Sequence, residues 1–326
     1  MENGNVKNII TIGASAGGIA AVAKLLEGFK KGFDAAIFIV LHMARNSMSE
    51  IILKQLQKQT ALACRIPVDG EEIVNGNVYL APANHHLLVE KGNVIVREGA
   101  LENHWRPSID VLFRSAAAAY SSCVIGIILT GLLDDGTSGM SAIKRSGGIC
   151  MVQDPNEAEF PDMPRNVLRN MKVDYTVSIN EMSYILADLF SRTSCEPTEV
   201  PADIKLEASI SKRMSSNVHE LLELGPLTPF TCPDCGGTLV KVENDDVPRY
   251  RCYTGHTFTE KILENEQIKA VEESLWVAIR LMEERKNLLS TMKTHDLVMK
   301  NEKADRMTLH IERLKKMLTD LNKGNE

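Results

Sequence analysis

Gly13-Ala14-Ser15-Ala16-Gly17 is a G-x-S-x-G pattern near the start of a 326-residue chain. Small residues on both sides of a serine permit a sharp strand-to-helix turn that carries the hydroxyl outward, as a nucleophile requires. The helix that follows offers unpaired N–H groups and its positive dipole end to a developing oxyanion, the Ala16 N–H among them. Two phosphate-binding patterns of similar spacing fail on the residues that make contact. A dinucleotide fingerprint needs glycine where Ser15 stands, and a Walker loop ends in Gly-Lys-Ser/Thr where this chain has Gly18-Ile19. The remaining alternative is that the small residues only let the helix pack close to the sheet.

A serine nucleophile needs a base, and the base needs an orienting acid. Of eight histidines, His42 alone directly follows an apolar strand-like run, "AAIFIVL". Asp134 and Asp135 come soon after a second such run, "CVIGIILTG". Strand ends of an open parallel sheet form its ligand crevice, so three motifs at three strand ends converge on one edge. His85, His86 and His104 follow no parallel-type strand and are expected at the surface or the cleft rim.

A second cluster is Cys232, Cys235, Cys252 and His256, spaced C-x2-C, sixteen residues, C-x3-H. Two knuckles of soft ligands suit tetrahedral Zn2+, and four protein ligands close its shell, so a structural metal is expected rather than a catalytic one. The intervening "TLVKVENDDVPRYR" reads as a hairpin, and the segment resembles a zinc ribbon. Thiols packed in reduced form against the main domain are the alternative. A redox C-x-x-C lacks its strand–helix context.

The elements that must hold these groups alternate in type. "NIITIG", a helix over residues 18 to 29, "AAIFIVLH" and a helix over 47 to 59 come first. "GNVYLAP", "HHLLVE" and "NVIVRE" read as short strands between Asn/Gly turns. A helix with "SIDVLFRSAAAAY", the strand "CVIGIILTG", a helix from about Ser138 and "GICMVQD" complete the series. Continuous apolar strands between helices imply a parallel sheet covered on both faces. The expectation is a doubly wound, Rossmann-like α/β domain over residues 1–192, with a small antiparallel excursion near 66–98. A linker at 193–229 has weak periodicity, with a short helix near 207–223. The ribbon-like module at 230–258 and a helical arm at 259–326 follow. In the arm, Ile268, Leu275, Met282 and Leu289 recur every seven residues, with Val271, Ala278 and Met292 interleaved. Met307, Ile311, Leu314, Leu318 and Leu321 continue a 4-3-4-3 pattern. Such narrow seams suit a coiled-coil hairpin or dimerisation arm, or else one amphipathic helix packed on the main domain.

"IGASAGG", "LHM", "VYLAP", "HWRPSIDVLF", "ILTGLLDDGTSGM" and "DMPRNVL" occur in the order and spacing of the CheB catalytic domain, the bacterial chemotaxis methylesterase, which residues 8 to 190 resemble. The resemblance implies Ser15 as nucleophile, His42 as base, Asp135 rather than Asp134 as acid, and a second oxyanion donor at the Leu132 N–H. It implies hydrolysis of glutamate γ-methyl esters on chemoreceptor signalling helices, often with deamidation of glutamines, and no catalytic cofactor. Ala16 replaces a threonine common in the family, and only its backbone N–H is needed. Arg106 and Arg165 are placed to meet an acidic receptor surface, and Met163-Pro164 to form a structural turn near the cleft. Family members commonly carry a phosphorylatable receiver domain in front; here about seven residues precede the first strand, so phosphorylation-controlled opening is not expected of this chain. An esterase or amidase for another substrate, and a non-catalytic signalling adaptor, are the alternatives.

Gross composition agrees. A net charge of −6 excludes a general nucleic-acid binder, and 44% hydrophobic and 25% charged residues are ordinary for a globular protein. No apolar run reaches membrane-span length, so no membrane insertion is expected. The polar start "MENGNVKN" has no leader character. Cys64, Cys123, Cys150 and Cys195 are scattered, which favours reduced thiols and a cytoplasmic setting.

Overall fold

The computed structural model of the chain describes residues 6–192, 195–292 and 297–323. The sequence expectations for the extreme N-terminus and for the first two linker residues fall outside these. Two units are present, the first ending at Glu260 and the second beginning at Lys261.

The first unit opens with β1 (Ile9–Ala14), α1 (Gly18–Glu27), β2 (Ala36–Leu41), α2 (Ser49–Gln57), β3 (Ala63–Arg65) and β4 (Asn77–Leu80). It continues through β5 (His86–Glu90), β6 (Asn93–Arg97), α3 (Ile109–Tyr120), β7 (Val124–Ile128), α4 (Thr137–Arg145) and β8 (Ile149–Gln153). The strands β1 to β4 and β7 to β8, with β9 (Tyr175–Val177), form one parallel sheet in the order β3-β4-β2-β1-β7-β8-β9. Between β8 and β9 lies α5 (Asp162–Asn170), and α6 (Ile179–Arg192) follows. This is the expected doubly wound α/β domain. Its inner strands are buried on both sides, while the edge strands β3 and β9 are part-exposed: Ile9, Phe38, Val40 and Ile128 belong to one apolar layer, Ile10, Ile12, Ile37 and Ile39 to the other. Period-two alternation between two covered faces explains why the strands read as unbroken apolar runs.

The antiparallel excursion is the β5–β6 hairpin, with Glu72 bridged antiparallel to Asn93 beside it. β4, read together with it from sequence, instead joins the parallel sheet between β3 and β2, because Val78, Tyr79 and Leu80 are all buried where a hairpin edge would alternate.

Residues 195–229 are not a loose linker. They form α7 (Ala202–Arg213) and α8 (Val218–Leu224). α7 buries Ile204, Glu207 and Ile210, and the charged residue in the middle of that stripe is what masks its helical period. Reduced thiols are also overturned for one pair: Cys123 and Cys195 form a disulfide. The chain after α6 returns alongside the start of β7, where Thr198 N–H donates to Ser121 Oγ at 3.1 Å and Thr198 Oγ1 to Ser146 O at 2.6 Å. That return path brings together cysteines 72 residues apart. Cys64 and Cys150 stay free.

The unit ends in an antiparallel four-stranded sheet, β10 (Leu227–Thr231), β11 (Thr238–Lys241), β12 (Arg249–Cys252) and β13 (Thr257–Thr259). β11 and β12 are the hairpin read from the sequence. Arg249 and Arg251 of β12 point into a buried ionic network with Glu207 of α7, Arg114 of α3, Glu102 and Asp245. Three guanidiniums face three carboxylates, each side chain no more than 4% exposed. Burial alone would raise Glu102 and Glu207, but the arginines outweigh it and hold both carboxyls below their ordinary range.

In the second unit, α9 (Glu260–Thr291) and α10 (Leu297–Lys323) pair along a seam that keeps the expected Leu275, Met282, Ile311, Leu314 and Leu318 but not the interleaved row, where Val271 and Met292 are exposed and Ile279 is buried instead. Ile279, Ile311 and Leu318 form its buried core, flanked by Leu275, Met282 and Leu314.

Candidate active site

Parallel pairing of β1 with β2 matches Ala14 to Leu41, so Ser15 and His42 leave the sheet side by side, and His42 N–H donates to Ala14 O at 3.1 Å. β7 pairs with the other edge of β1. The site thus lies at the C-terminal ends of strands that diverge on either side of β1, the switch point of the sheet. At the Ser15 turn, Ser15 N–H donates to Thr130 O (3.0 Å) and Gly18 N–H to Ser15 O (2.8 Å). Gly17 has φ 70°, a left-handed conformation that suits glycine and starts α1 directly after the serine. Among the described residues, neither the Ala16 nor the Leu132 amide donates to a protein acceptor, so both remain available.

His42 Nε2 lies 2.8 Å from Asp135 Oδ2, with both side chains 1% exposed. A carboxylate only accepts here, so the ring proton sits on Nε2 and Nδ1 keeps its lone pair. That Nδ1 is buried, with no protein partner among the described residues. The ring is used the opposite way round from serine proteases, where Nδ1 faces the acid. Trp105 stacks on the imidazole with centroids 3.9 Å apart and planes 6° from parallel.

Asp135 is the better-placed of the two candidate acids. Besides His42, its Oδ2 accepts from Ile109 N–H (2.7 Å), and its Oδ1 accepts from Ser108 Oγ (2.9 Å) and Asn103 Nδ2 (3.3 Å). Its carboxylate therefore sits at the N-terminus of α3, where free amides and the helix dipole favour negative charge. Burial pushes Asp135 up, but the bond from His42 and those from Ile109 and Ser108 outweigh it and hold the carboxyl low. Neighbouring Asp110 is pushed well up by burial and by the charge of Asp135, so negative charge concentrates on Asp135. Gly13 makes this geometry possible: a methyl there would stand 2.4 Å from Ile109 Cγ2, so only glycine lets the start of α3 approach β1 closely enough.

Several neighbours were not singled out from sequence. Ser108, Ile109, Asn103 and Trp105 all lie in or beside "HWRPSIDVLF", a block read only as part of a resemblance. His86 is not a rim residue: it is buried, with Nε2 2.8 Å from Ala100 O and Nδ1 accepting from Ser108 N–H at 3.2 Å. Burial lowers its pKa, and the neutral ring ties the loop before α3 to β5. His104 is exposed, as expected of the rim. Arg106 does not face outward for a receptor but binds Asn84 Oδ1 (2.8 Å) and Gly99 O (2.6 Å). Arg165 is exposed, and Met163 is buried at the start of α5.

Cys232, Cys235, Cys252 and His256 also converge, their ligand atoms all within 4.8 Å of one another. Cys235 Sγ and Cys252 Sγ are 3.7 Å apart, and His256 Nδ1 lies 3.7 and 3.6 Å from Cys232 and Cys252 Sγ. A tetrahedron with Zn–S bonds of about 2.3 Å has edges of about 3.8 Å, so the donor set and its size fit a metal ion. Asp234 stands 3.8 Å from His256 Nε2, the place of an outer-shell carboxylate.

Residues 10–186 match the family model described as CheB methylesterase. A protein of Leptospira interrogans serogroup Icterohaemorrhagiae, provisionally named protein-glutamate methylesterase/protein-glutamine glutaminase, is 41% identical over 184 residues, 56% of this chain and 93% of that one. A protein-glutamate methylesterase/protein-glutamine glutaminase of Methanosarcina barkeri is 31% identical over 194 residues, covering 57% of this chain and 53% of its own; the chain spans about half the length of that relative. The crystal structure of the Thermotoga maritima CheB methylesterase catalytic domain superposes with a TM-score of 0.54 at 30% identity, covering 56% of this chain and 98% of that one. The chain belongs to the CheB methylesterase family.

Proposed function

We propose that this protein hydrolyses glutamate γ-methyl esters on the signalling helices of chemoreceptors, with Ser15 as nucleophile, His42 as base and Asp135 as acid. The observation that carries this is His42 itself. Its Nε2–H is fixed on Asp135 at 2.8 Å while its buried Nδ1 has no protein partner among the described residues, beside a serine on a small-residue turn. With Nε2–H committed to Asp135, Nδ1 is the ring's remaining acceptor, and a buried polar atom that no protein group satisfies points to a catalytic role.

His42 Nδ1 takes the Ser15 proton as Oγ attacks the ester carbonyl. The Ala16 and Leu132 N–H groups hold the oxyanion. The C–O bond to methoxide breaks and His42 returns the proton, so methanol leaves. Water, deprotonated by the same nitrogen, attacks the acyl-serine; Ser15 recovers the proton and a glutamate carboxylate is released. Asp135 keeps the imidazole tautomer and stabilises the imidazolium in both halves. Hydrolysis of a glutamine amide follows the same steps with ammonia leaving. The relatives' names, which pair esterase with glutaminase, support that second substrate.

The ribbon at 230–258 holds a structural Zn2+ in this reading, and the helical arm at 259–326 serves dimerisation or partner docking. No helix among the described residues is long and apolar enough to cross a membrane, consistent with action on the cytoplasmic side. Methanol release from methyl-labelled chemoreceptor membranes, wild type against Ser15→Ala, tests the proposal. Release that disappears in the variant supports it. Absence of release from the wild type points to another acyl substrate or to an adaptor.

A further inference from the structure

The turn that carries Trp105 is held from the side opposite the triad. Glu102 N–H and O pair with Trp105 O and N–H at 3.3 and 2.9 Å, and Asn103 and His104 have φ 51° and 66°. Two consecutive left-handed residues closed in this way are a type I′ turn, a conformation that asparagine tolerates better than most side chains. Its outer edge is bound to β13 of the ribbon. Asn103 N–H donates to Thr257 O (2.8 Å), Thr257 N–H to Leu101 O (3.4 Å), and Thr259 N–H to Asn103 Oδ1 (3.3 Å). The other end of the same amide, Asn103 Nδ2, donates to Asp135 Oδ1 (3.3 Å) and Asp110 Oδ2 (3.0 Å).

The ribbon also grips the helix that follows Asp135. Ser138 Oγ donates to Asp245 Oδ2 and Ser141 Oγ to Asp246 Oδ2, both at 2.7 Å. In the turn itself, Glu102 is paired with Arg251 of β12 at 3.1 Å, both side chains 3% exposed or less. His256, one of the four clustered donors, is the residue before Thr257. Donor cluster, Thr257, Asn103 and Asp135 therefore form one short covalent and hydrogen-bonded path.

We infer that the metal-held ribbon is a positioning element of the active site: through Thr257 and Thr259 it fixes Asn103, and Asn103 fixes Asp135 and the turn that lays Trp105 on His42. The inference rests on the hydrolase reading of Ser15, His42 and Asp135. Its physical basis is the small size of the ribbon: Phe258 and the Arg249 and Arg251 ion pairs dock it on the α/β domain, while the turn from Cys252 to His256 that leads into β13 depends on the four donors being tied together. With the donors released, β13 loosens, Asn103 loses two of its fixed partners, and the carboxylate that orients His42 loses a donor. Asn103 is a positioning residue here and touches no substrate.

The test uses the full chain with Trp276→Phe, which leaves Trp105 as the sole tryptophan of the two. Two quantities are read with zinc loaded and after removal by a chelator: Trp105 emission, and the rate at which a fluorophosphonate labels Ser15. Zinc removal is expected to shift the emission and slow labelling about tenfold, the scale of a lost hydrogen bond to a charged group, and added zinc to restore both. Asn103→Gly keeps the left-handed turn and its backbone bond to Thr257 but deletes the side-chain amide; it should slow labelling by a similar factor, lower kcat more than it raises KM, and shrink the further effect of zinc removal on labelling to what that backbone bond carries. Thr259→Pro removes the N–H that Asn103 Oδ1 accepts, together with the buried Thr259 side chain, with all four donors intact, and should give a loss in the same direction, with Thr259→Val, which keeps the N–H, as its control; the pair decides the matter if the zinc-free chain unfolds. Unchanged emission and labelling in a folded zinc-free chain would overturn the inference, as would effects of zinc removal and Asn103→Gly that multiply. If wild-type Ser15 takes no label, the hydrolase reading fails, and the Trp105 emission still decides whether the ribbon holds the turn.

Discussion

Asp135→Asn removes a charge with almost no change in volume, so it isolates what the carboxylate does for His42. In the native site both oxygens face donors: His42 Nε2–H and Ile109 N–H at 2.8 and 2.7 Å on Oδ2, Ser108 Oγ and Asn103 Nδ2 at 2.9 and 3.3 Å on Oδ1. An asparagine must turn its NH2 toward one of these pairs. The Ser108 hydroxyl can rotate to accept, whereas the Ile109 amide beside His42 cannot, so the NH2 is least opposed on the Ser108 side, where it still faces Asn103 Nδ2 and the Asp110 N–H at 3.4 Å, and an oxygen stays on His42. The tautomer survives and the charge does not. Two unit charges about 4 Å apart attract by about 4 kcal/mol at an effective dielectric of about 20. The imidazolium that forms as Ser15 loses its proton forfeits roughly that much, and kcat falls about a thousandfold. Methanol release from methyl-labelled receptor membranes measures kcat, and thermal denaturation run in parallel shows whether the variant is folded. A folded Asp135→Asn chain that keeps more than a tenth of wild-type kcat would refute the reasoning, since the buried carboxylate would then not be what stabilises the charged ring.

Two further outcomes follow from the packing. Gly13→Ala forces a methyl against Ile109, 2.4 Å from its Cγ2; urea unfolding should show a loss of about 1–3 kcal/mol, with kcat reduced as the Ile109 amide is pushed off Asp135, and an unchanged transition would contradict the close-approach role of this glycine. Glu207→Gln leaves three buried guanidiniums facing two carboxylates and should cost about 3–5 kcal/mol, read by the same unfolding. The network also sets an acid limit. Glu102 and Glu207 ordinarily titrate near 4.5 and are held lower in the fold, so their stabilisation is complete above that pH and declines as pH falls below it. Glu207→Gln should flatten that decline in a pH series of melting temperatures; an unaltered acid limb would place the acid sensitivity elsewhere.

Local pattern alone determined a good deal of this protein. Unbroken apolar runs meant strands covered on both faces, and the positions of Ser15 and His42 directly after two such runs, with Asp135 soon after a third, placed them on one edge. Close cysteine spacing marked the donor cluster, since two knuckles and a hairpin are properties of short segments. The seven-residue seam of the arm was equally local. What tertiary structure decided is everything whose partner lies far along the chain. α7 has no clean apolar period because Glu207 occupies its buried stripe, and that carboxylate makes sense only beside Arg114, Arg249 and Arg251. Cys123 and Cys195 looked like isolated thiols until the chain after α6 returned along β7. His86 looked like a rim residue because nothing local shows that Ala100 O and Ser108 N–H meet its two nitrogens. The approach of β13 to the Asn103 turn joins residues more than 150 positions apart, and hydrogen bonds between backbone atoms leave no trace in residue type. Periodicity reports which side of an element is buried; only the folded chain reports against what.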